Sequence, residues 1–223
     1  MTFADRTEAG RILAAQLSHY ANRNDVVVLG IPRGGVQVAF EIARHLSAPL
    51  DVFLLRKLGA PGEEELAFGA IASGGIRVLD HETINALGIS EQEIERVTEM
   101  ELRELHRRAS AYRGDQPPLD VVGKTVILVD DGIATGSSMR AGVQALRRLH
   151  PARIVVAVPV APARSFAQLT NVDEFVCVQT PMFFQAIGQF YDDFSQVSDE
   201  QVLAMLAGAP LLAREKTAGG VAG

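Results

Sequence analysis

Cysteine is almost missing from this sequence: the 223 residues include one, Cys177, in an apolar, strand-like run. A disulfide framework is therefore excluded, and Cys177 is interpreted as a core residue. Long apolar runs are missing as well, since none approaches the roughly 20 residues that a membrane-spanning helix needs. The segment from Met1 to Arg6 lacks a signal-peptide pattern. These absences predict a protein that has no membrane partner and works in the cytoplasm.

An excess of positive charge is also missing. Lysine and arginine together number 21 against 27 acidic residues, which gives a formal net charge of −6 and a pI near 5.4. A non-specific nucleic-acid binder normally has a basic surface, so this balance argues against nucleic acid as a partner. Any polyanionic substrate must therefore be bound by local groups and a metal rather than by the overall charge.

Several common catalytic patterns are missing too. No serine lies in a nucleophile-elbow context, and neither a dinucleotide fingerprint nor an internal repeat is present. The five histidines show no metal-ligand spacing. They are His19, His45, His81, His106 and His150.

The sequence does contain an alternation of strand and helix patterns, and its 48% of hydrophobic residues can bury a full core. The strand patterns lie at residues 26–29, 50–55, 125–129, 153–158 and 174–178. They predict an α/β fold with a doubly wound, mostly parallel sheet. A helical insertion is expected at about residues 81–118, where Ser90 and Glu93 predict a capping box. We expect a single domain over residues 1–207 and a disordered tail over residues 208–223.

The most informative stretch is the segment from Val126 to Ser138. A run of four apolar residues ends in two adjacent carboxylates, Asp130 and Asp131. A turn with two glycines and three hydroxyl residues then leads into a helix pattern. Open α/β sheets bind ligands at the carboxyl ends of their strands, and a helix N-terminus favours a phosphate. The pattern predicts a ligand with a vicinal diol or a metal next to a phosphate; the simpler interpretation is a turn with Asp, Gly and Ser as turn and cap residues.

A second glycine-rich turn follows the strand at 26–29. It is a Pro-Arg-Gly-Gly sequence that contains Arg33, Gly34 and Gly35, and a helix is expected to begin near Val36. A strand that leads into a glycine-rich turn at a helix start has an anion-binding geometry. A plain left-handed glycine turn is the alternative.

The strand at 50–55 ends in two cations, Arg56 and Lys57. They are interpreted either as site residues, because both glycine-rich turns point to the same edge of the sheet, or as a solvated pair. The next segment, 58–66, is rich in turn-forming and charged residues and is expected to be a mobile loop. A short strand pair joined by a turn is predicted over residues 67–79.

The residues from Val126 to Ser138 closely resemble the signature of the type I phosphoribosyltransferases, which bind phosphoribosyl pyrophosphate (PRPP). The resemblance implies that the acidic pair takes the ribose 2′- and 3′-hydroxyls and that the following turn wraps the 5′-phosphate. The implied PRPP-binding residues are Asp130, Asp131, Gly132, Ala134, Thr135, Gly136, Ser137 and Ser138. Many purine-specific members have an acid at the position of Ala134, so the alanine argues against a 6-oxopurine substrate.

The resemblance also assigns the leaving group, the base and the metal. The implied pyrophosphate-binding residues are Arg33, Gly34, Gly35, Arg56 and Lys57. The aromatic stretch at about 180–195 corresponds to the family's hood, where Phe183 or Phe184 would stack on the base. From its composition alone, the same stretch is a hydrophobic flap over the sheet edge. The resemblance also implies a homodimer. It further implies a Mg²⁺ ion that is held mainly by PRPP, with Asp130 and Asp131 reaching it through water.

The expected function is Mg²⁺-dependent transfer of the 5-phosphoribosyl group from PRPP to a nitrogenous base, with release of pyrophosphate. During transfer C1 of the ribose becomes cation-like while the leaving group gains negative charge. The implied catalytic residues are Arg33 and Lys57, which would stabilise the leaving group, and Asp130 and Asp131, which would hold the sugar.

Two alternatives remain open. One is a regulator on the same fold that senses PRPP or a nucleotide without turning it over. The presence of Arg33, Arg56 and Lys57 favours an enzyme, because sensing needs no leaving-group site. The other is a receiver-like phosphoacceptor domain in which the acidic pair binds Mg²⁺, although such a domain is usually near half this length and does not need a Thr-Gly-Ser-Ser turn.

Overall fold

Helices and strands alternate along the chain in the computed structural model, which describes residues 1–114 and 116–209. The helices are α1 (Arg6–Gln16), α2 (Gly34–Leu46), α3 (His81–Leu87), α4 (Glu91–Arg113), α5 (Ser137–Arg147), α6 (Arg164–Gln168) and α7 (Asp199–Gly208). The strands are β1 (Val26–Gly30), β2 (Leu50–Val52), β3 (Leu55–Ala60), β4 (Glu63–Ala72), β5 (Ile76–Leu79), β6 (Thr125–Val129), β7 (Arg153–Val160) and β8 (Glu174–Gln179). Short 3-10 helices span Ser18–Tyr20 and Ile187–Phe190.

Five strands form a parallel sheet in the order β2-β1-β6-β7-β8. Their β-branched, apolar runs suit strands that are covered on both faces, and every residue of β1 and β6 is buried. Because side chains alternate along a strand, Val26 and Val28 pack with α1 and α2 on one face, whereas Val27 and Leu29 pack with α5 on the other. The predicted doubly wound α/β sheet is confirmed.

The strand order places a topological switch point between β1 and β6. From β1 the chain passes through α2 to β2 on one side, and from β6 it passes through α5 to β7 on the other. The turns after β1 and β6 therefore diverge to opposite faces and leave a crevice at the carboxyl ends of the strands, where open α/β sheets bind ligands. Both glycine-rich turns singled out in the sequence lie at this crevice.

A second sheet, antiparallel and in the order β3-β4-β5, corrects the expectations for residues 50–66. The expected strand at 50–55 divides between β2 and β3, which belong to different sheets. The expected mobile loop at 58–66 instead contributes to the hairpin of β3 and β4. Leu58 and Phe68 of this hairpin are buried in a cluster with α4. That helix lies far along the chain, so local sequence patterns could not show what covers the hairpin.

The predicted helical insertion is confirmed as α3 and α4. Its capping box is formed, because the Ser90 hydroxyl accepts from the Glu93 N–H and the Glu93 carboxylate accepts from the Ser90 N–H at 2.9 Å. The predicted strand pair is confirmed as the antiparallel strands β4 and β5. Within residues 1–114 and 116–209, the helices are all too short or too polar to cross a membrane.

The predicted tail begins inside α7. Gly208 is the last residue of that helix, and Ala209 is buried against the core. The remainder of the predicted tail, residues 210–223, lies outside the described residues. The division into one domain and a tail stays a prediction.

Candidate active site

The acidic pair lies at the carboxyl end of β6, beside the switch point. The Asp131 N–H donates to Asp130 Oδ1 at 2.9 Å. Burial raises the pKa of Asp130 well above its usual 3.8, and the neighbouring Asp131 carboxylate raises it further. Burial also raises the pKa of Asp131, although Arg6 opposes that rise. Two carboxylates are thus held where two negative charges are unfavourable, a property that is common at sites that bind cations or hydroxyl groups.

An arginine that sequence reasoning missed contacts this pair. Arg6 Nε donates to Asp131 Oδ2 at 2.8 Å, and the two side chains are 7% and 13% exposed. Arg6 Nη1 donates to the Ser195 carbonyl oxygen at 2.8 Å, and the guanidinium carbon lies 3.8 Å from the centre of the Phe194 ring. Arg6 and Asp131 are 125 residues apart, so no local pattern connects them. The one available signal was an arginine at the first position of an amphipathic helix.

Tyr191 holds the main chain of the acidic pair. Its hydroxyl donates to the Asp131 carbonyl oxygen at 2.7 Å, and its ring lies 5.4 Å from the ring of Phe3. Burial raises the pKa of Tyr191, which keeps the hydroxyl protonated as a donor. Residues near the beginning of the chain and from the expected hood therefore meet at the acidic pair.

Gly34 and Gly35 approach the acidic pair too closely to carry a side chain. A Cβ on Gly34 would lie 2.0 Å from Asp131 Oδ2, and a Cβ on Gly35 would lie 2.8 Å from the Asp130 Cα. Both glycines are helical residues at the start of α2, which begins before the expected Val36, so the alternative of a plain left-handed turn is wrong. These glycines are required by the close contact between the two turns.

The turn after the acidic pair has the geometry of an anion site. Gly136 is the N-cap of α5 with a φ of +78°, a left-handed conformation that favours glycine. The hydroxyls of Thr135 and Ser137 lie 3.1 Å apart at the start of this helix. Its first residues are Ser-Ser-Met-Arg, so no acid opposes an anion at the N–H groups and the positive end of the helix dipole.

The same turn is anchored at one end and open at the other. Gly132 packs so tightly that a Cβ would lie 2.7 Å from the Ile187 side chain, and the Ile133 N–H donates to the Val160 carbonyl at 2.9 Å. Ala134 is exposed, as is Thr135, and Ser138 is half-buried. The residues assigned to the 5′-phosphate are therefore brought together, with the tip of the turn accessible to a ligand.

Arg33 immediately precedes α2, and the peptide bond between Pro32 and Arg33 is cis. Its Nη1 atom lies 4.0 Å from Asp199 Oδ1 at the start of α7. The same Asp199 oxygen accepts a hydrogen bond from the Tyr112 hydroxyl at 2.5 Å. The main chain of Arg33 thus adjoins the acidic pair through Gly34, while its guanidinium faces α7. Its role at a pyrophosphate stays a prediction.

The structure separates Arg56 from Lys57. Both belong to β3, and neighbouring side chains of a strand point to opposite faces. Arg56 Nε donates to Glu101 Oε2 at 2.6 Å, which connects it to α4. Leu55 packs in the cluster that contains α5, so Lys57, which shares the face of Leu55, lies on the α5 side and is exposed. Of the two cations, Lys57 is the one on the side of α5.

The two aromatic residues assigned to the base also differ. Phe184 stacks on Phe190 with ring centres 5.4 Å apart, so it takes part in the packing of its own segment. Phe183 is 85% exposed and adjoins Met182, which is 92% exposed. The Gln189 side-chain amide donates to the Phe183 carbonyl oxygen at 3.2 Å and so fixes the main chain behind the exposed ring.

A half-open pocket of about 240 Å³ lies away from the acidic pair. It is beside the edge strand β2, where Phe53 and Leu119 line it together with the buried ion pair of Asp51 and Arg113. A polar cavity of about 100 Å³ borders Arg6. Cavity volume alone therefore does not locate the candidate site. The site is located by the charged groups and the close contacts at the switch point between β1 and β6.

Comparison with known proteins gives this site its context. The sequence model of the phosphoribosyl transferase domain matches residues 5–194. The chain belongs to the phosphoribosyl transferase family. The match includes both glycine-rich turns, the acidic pair and Arg6, and it confirms the predicted family.

Among curated proteins, the chain is 44% identical over 205 residues to a provisionally named phosphoribosyl transferase of Mycobacterium tuberculosis strain H37Rv. That alignment covers 92% of this chain and 46% of the relative, so the chain spans about half the length of this protein. A second relative is the bifunctional protein PyrR of Chloroflexus aurantiacus, 33% identical over 138 residues, which are 57% of this chain and 66% of that protein.

Among solved structures, the chain resembles the protein TT1426 from Thermus thermophilus. The two share 43% sequence identity with a TM-score of 0.81, and the match covers 92% of this chain and 98% of that one. The arrangement of the sheets and helical insertion described above is therefore shared by a relative of almost the same extent.

Proposed function

We propose that this domain transfers the 5-phosphoribosyl group from PRPP to a nitrogenous base and releases pyrophosphate, with Mg²⁺ required. The observation that carries the proposal is the direct succession, at the switch point, of a half-buried acidic pair and a helix start with the geometry of an anion site. A ribose 5-phosphate carries a diol and a phosphate within one small sugar, and these two features match that succession. Family membership supports the same reaction class.

Each part of the site has a separate task in this proposal. Asp130 and Asp131 accept hydrogen bonds from the ribose hydroxyls, and their negative charge favours a sugar ring that becomes cation-like. The N–H groups at the start of α5 bind the 5′-phosphate, together with the hydroxyls of Thr135 and Ser137. The site supplies charge and position rather than a general base, which agrees with an alanine at position 134.

The leaving pyrophosphate would be received by Arg33, Gly34 and Lys57. Lys57 lies on the side of α5 and is exposed, so it can meet the ligand without breaking an ion pair to any side chain that the structure describes. Arg33 would exchange its 4.0 Å contact with Asp199 for the more highly charged pyrophosphate. Arg56 is omitted from this role because its partner is Glu101 at 2.6 Å.

The acidic pair fits the predicted Mg²⁺. This ion prefers oxygen ligands and is usually bound by one or two carboxylates together with substrate phosphates and water. Groups of three or more metal-binding side chains do not occur among residues 1–114 and 116–209, so the protein would contribute the two carboxylates and PRPP the remaining oxygens. When bound, the ion would neutralise charge on the leaving group. Asp130 and Asp131 would orient it through water.

The acceptor is a nitrogenous base, and the exposed ring of Phe183 is the candidate for stacking on it. The absence of an acid at Ala134 argues against 6-oxopurines. A cytoplasmic location, a role in nucleotide metabolism and a homodimeric state belong to the same proposal.

A PRPP- or nucleotide-sensing regulator is the second candidate. One observation supports it: Arg33 and Arg56 already pair with Asp199 and Glu101. Lys57 is then the remaining cation of the three that were predicted to bind the leaving group, and a regulator needs no leaving-group site. The relative named bifunctional protein PyrR shows that a second function occurs among similar proteins.

The deciding experiment measures pyrophosphate release from PRPP and Mg²⁺ across a panel of purine, pyrimidine and pyridine bases. The blank is the double variant Asp130→Asn, Asp131→Asn. The matched control is Asp25→Asn, which removes a surface carboxylate that pairs with Arg23. We expect base-dependent release in the parent and the control, and none in the blank. PRPP binding without release would favour the regulator, and absence of PRPP binding would refute the proposal.

A further inference from the structure

Arg6 differs from the other arginine of its helix. Its side chain is 7% exposed, whereas that of Arg11, in the same helix α1, is 64% exposed and pairs with Glu41 at 3.2 Å. A charged side chain is rarely buried unless it is paired and hydrogen-bonded, because removal from water costs free energy. The burial of Arg6 therefore calls for an explanation beyond surface solubility.

The contacts of Arg6 connect two parts of the molecule. On one side Nε donates to Asp131 Oδ2 at 2.8 Å. On the other side Nη1 donates to the Ser195 carbonyl at 2.8 Å, and the guanidinium stacks on the Phe194 ring at 3.8 Å. The planar guanidinium presents several donors in a rigid fork, so one arginine can satisfy both partners and stack on a ring at the same time.

These contacts determine where the Asp131 carboxylate can lie. Arg6 occupies one of its oxygens, Tyr191 holds its main-chain carbonyl at 2.7 Å, and the space of a Cβ on Gly34 is filled by the same oxygen Oδ2. A carboxylate has about four lone-pair sites, so the group that Arg6 holds can still accept a hydrogen bond from a ligand. These contacts leave the Asp131 carboxylate a narrow range of orientations.

We propose that Arg6 is a positioning residue of the ribose site, which fixes the Asp131 carboxylate and connects it to the segment Tyr191–Ser195. The inference rests on the proposed PRPP site. The partners of Arg6 on its far side, Phe194 and Ser195, both belong to this segment, so a change in the segment also changes the support of Asp131. Arg6 thus couples the Asp131 carboxylate to the segment Tyr191–Ser195.

The first test measures equilibrium binding of PRPP with Mg²⁺ by calorimetry in the parent, Arg6→Met, Arg6→Lys and the matched control Arg11→Met. We expect Arg6→Met to weaken binding by up to roughly 100-fold, since a hydrogen bond to a charged group contributes about 10- to 100-fold to an equilibrium constant. Arg6→Lys keeps the charge but lacks the fork, so it should recover part of the affinity. Arg11→Met should bind as the parent does.

A double-variant cycle separates positioning from general folding support. In the Asp131→Asn background, Arg6→Met should change PRPP affinity little, because the carboxylate that Arg6 positions is already absent. Equal effects of Arg6→Met in both backgrounds would overturn the inference. Parent-like affinity of a folded Arg6→Met variant would also overturn it, while leaving the proposed function intact. No PRPP binding by the parent would refute the proposed function itself.

The variant Phe194→Leu keeps the test valid if Arg6→Met does not fold. It removes the ring on which Arg6 stacks but leaves the ion pair with Asp131 in place. We expect a folded protein with PRPP affinity reduced roughly tenfold, because the guanidinium loses one of its supports. Unchanged affinity in this variant would count against the coupling.

Discussion

The two ends of the candidate site differ in how firmly the protein holds them. At the sugar end, Asp131 is contacted by Arg6 and Tyr191 and adjoins Gly34, all at close range. At the hood end, Met182 and Phe183 are 92% and 85% exposed. The end that contains Asp131 is preorganised by contacts between distant segments. The hood end instead presents side chains that are largely exposed to solvent.

This difference agrees with what each end would bind. A donor such as PRPP has one fixed arrangement of diol and phosphate, so a rigid acidic pair and a helix N-terminus suit it. An acceptor base is bound by stacking and apolar contact, which an exposed aromatic ring can supply before any rigid pocket is formed. The proposed function is therefore more specific about the donor than about the acceptor.

The largest predicted effects come from changing one carboxylate of the pair at a time. Asp131→Asn leaves the buried Arg6 without its charged partner and should lower the free energy of unfolding by about 3 kcal/mol. Asp130→Asn removes a buried charge that repels Asp131 and should raise the melting temperature by roughly 2–4 °C, the change that about 1 kcal/mol produces in a domain of this size. Both variants should bind PRPP more weakly than the parent, with an affinity that can still be measured. Calorimetric melts and PRPP titrations of the two variants check these predictions.

The effect of Asp130→Asn should also depend on pH. The pKa of Asp130 in the folded protein lies above its usual 3.8. Between these two pKa values the native parent binds more protons than the unfolded chain, so its stability falls as the pH rises through this range. Arg6, Asp131 and Tyr191 face this carboxyl group. Asparagine does not titrate, so the gain in melting temperature should increase from acidic to mildly alkaline pH. A gain that shrinks with pH would contradict this interpretation.

The next largest effect should come from Gly34→Ala. Its Cβ would lie 2.0 Å from Asp131 Oδ2 and 2.8 Å from Arg6 Nε, so the carboxylate and the guanidinium must move. We expect a loss of about 2 kcal/mol in stability and at least a tenfold loss of PRPP affinity. Gly142→Ala, within α5, is the control, since its Cβ would have its nearest neighbour, Leu128 Cδ2, at 3.5 Å. It should raise stability by about 0.5–1 kcal/mol.

A smaller effect should separate Lys57 from Arg56. Lys57→Met should lower kcat roughly tenfold with little change in the melting temperature, because the proposed function assigns this exposed lysine to the leaving group. Arg56→Met breaks the 2.6 Å ion pair with Glu101 and should mainly lower stability, with kcat close to that of the parent. Steady-state kinetics and thermal melts of both variants provide the measurement. If Arg56→Met lowered kcat and Lys57→Met mainly lowered stability, Arg56 and not Lys57 would be the residue at the pyrophosphate.

The smallest effects are expected at the hood end. Phe183→Ala should leave the melting temperature unchanged and raise the KM for the base roughly fivefold, as about 1 kcal/mol of stacking is lost. Phe184→Ala removes the ring that stacks on Phe190 and should lower stability by about 1 kcal/mol with a smaller effect on KM. If both variants bind the base as the parent does, the stacking residue lies elsewhere.

Much of this arrangement could be predicted from local patterns. The apolar run that ends in Asp130 and Asp131 is a strand followed by an acidic pair, and Gly136 marks the start of α5, because strand periodicity and turn chemistry are encoded by residues next to each other. The capping box of Ser90 and Glu93 is similarly local. The hairpin of β3 and β4 was missed because its turn-forming residues suggest a loop, while its buried side rests on α4.

By itself, the sequence determined the alternation of strands and helices in the parallel sheet, the two glycine-rich turns and the family. Only the tertiary structure decided that Arg6 meets Asp131, that Gly34 and Gly35 are required by close contact, and that Arg56 and Lys57 face opposite sides. The physical reason is that periodicity and turn propensity act between neighbours along the chain. Ion pairs, close approaches and the partner of each strand face depend on how segments more than a hundred residues apart, such as Arg6 and Asp131, pack together.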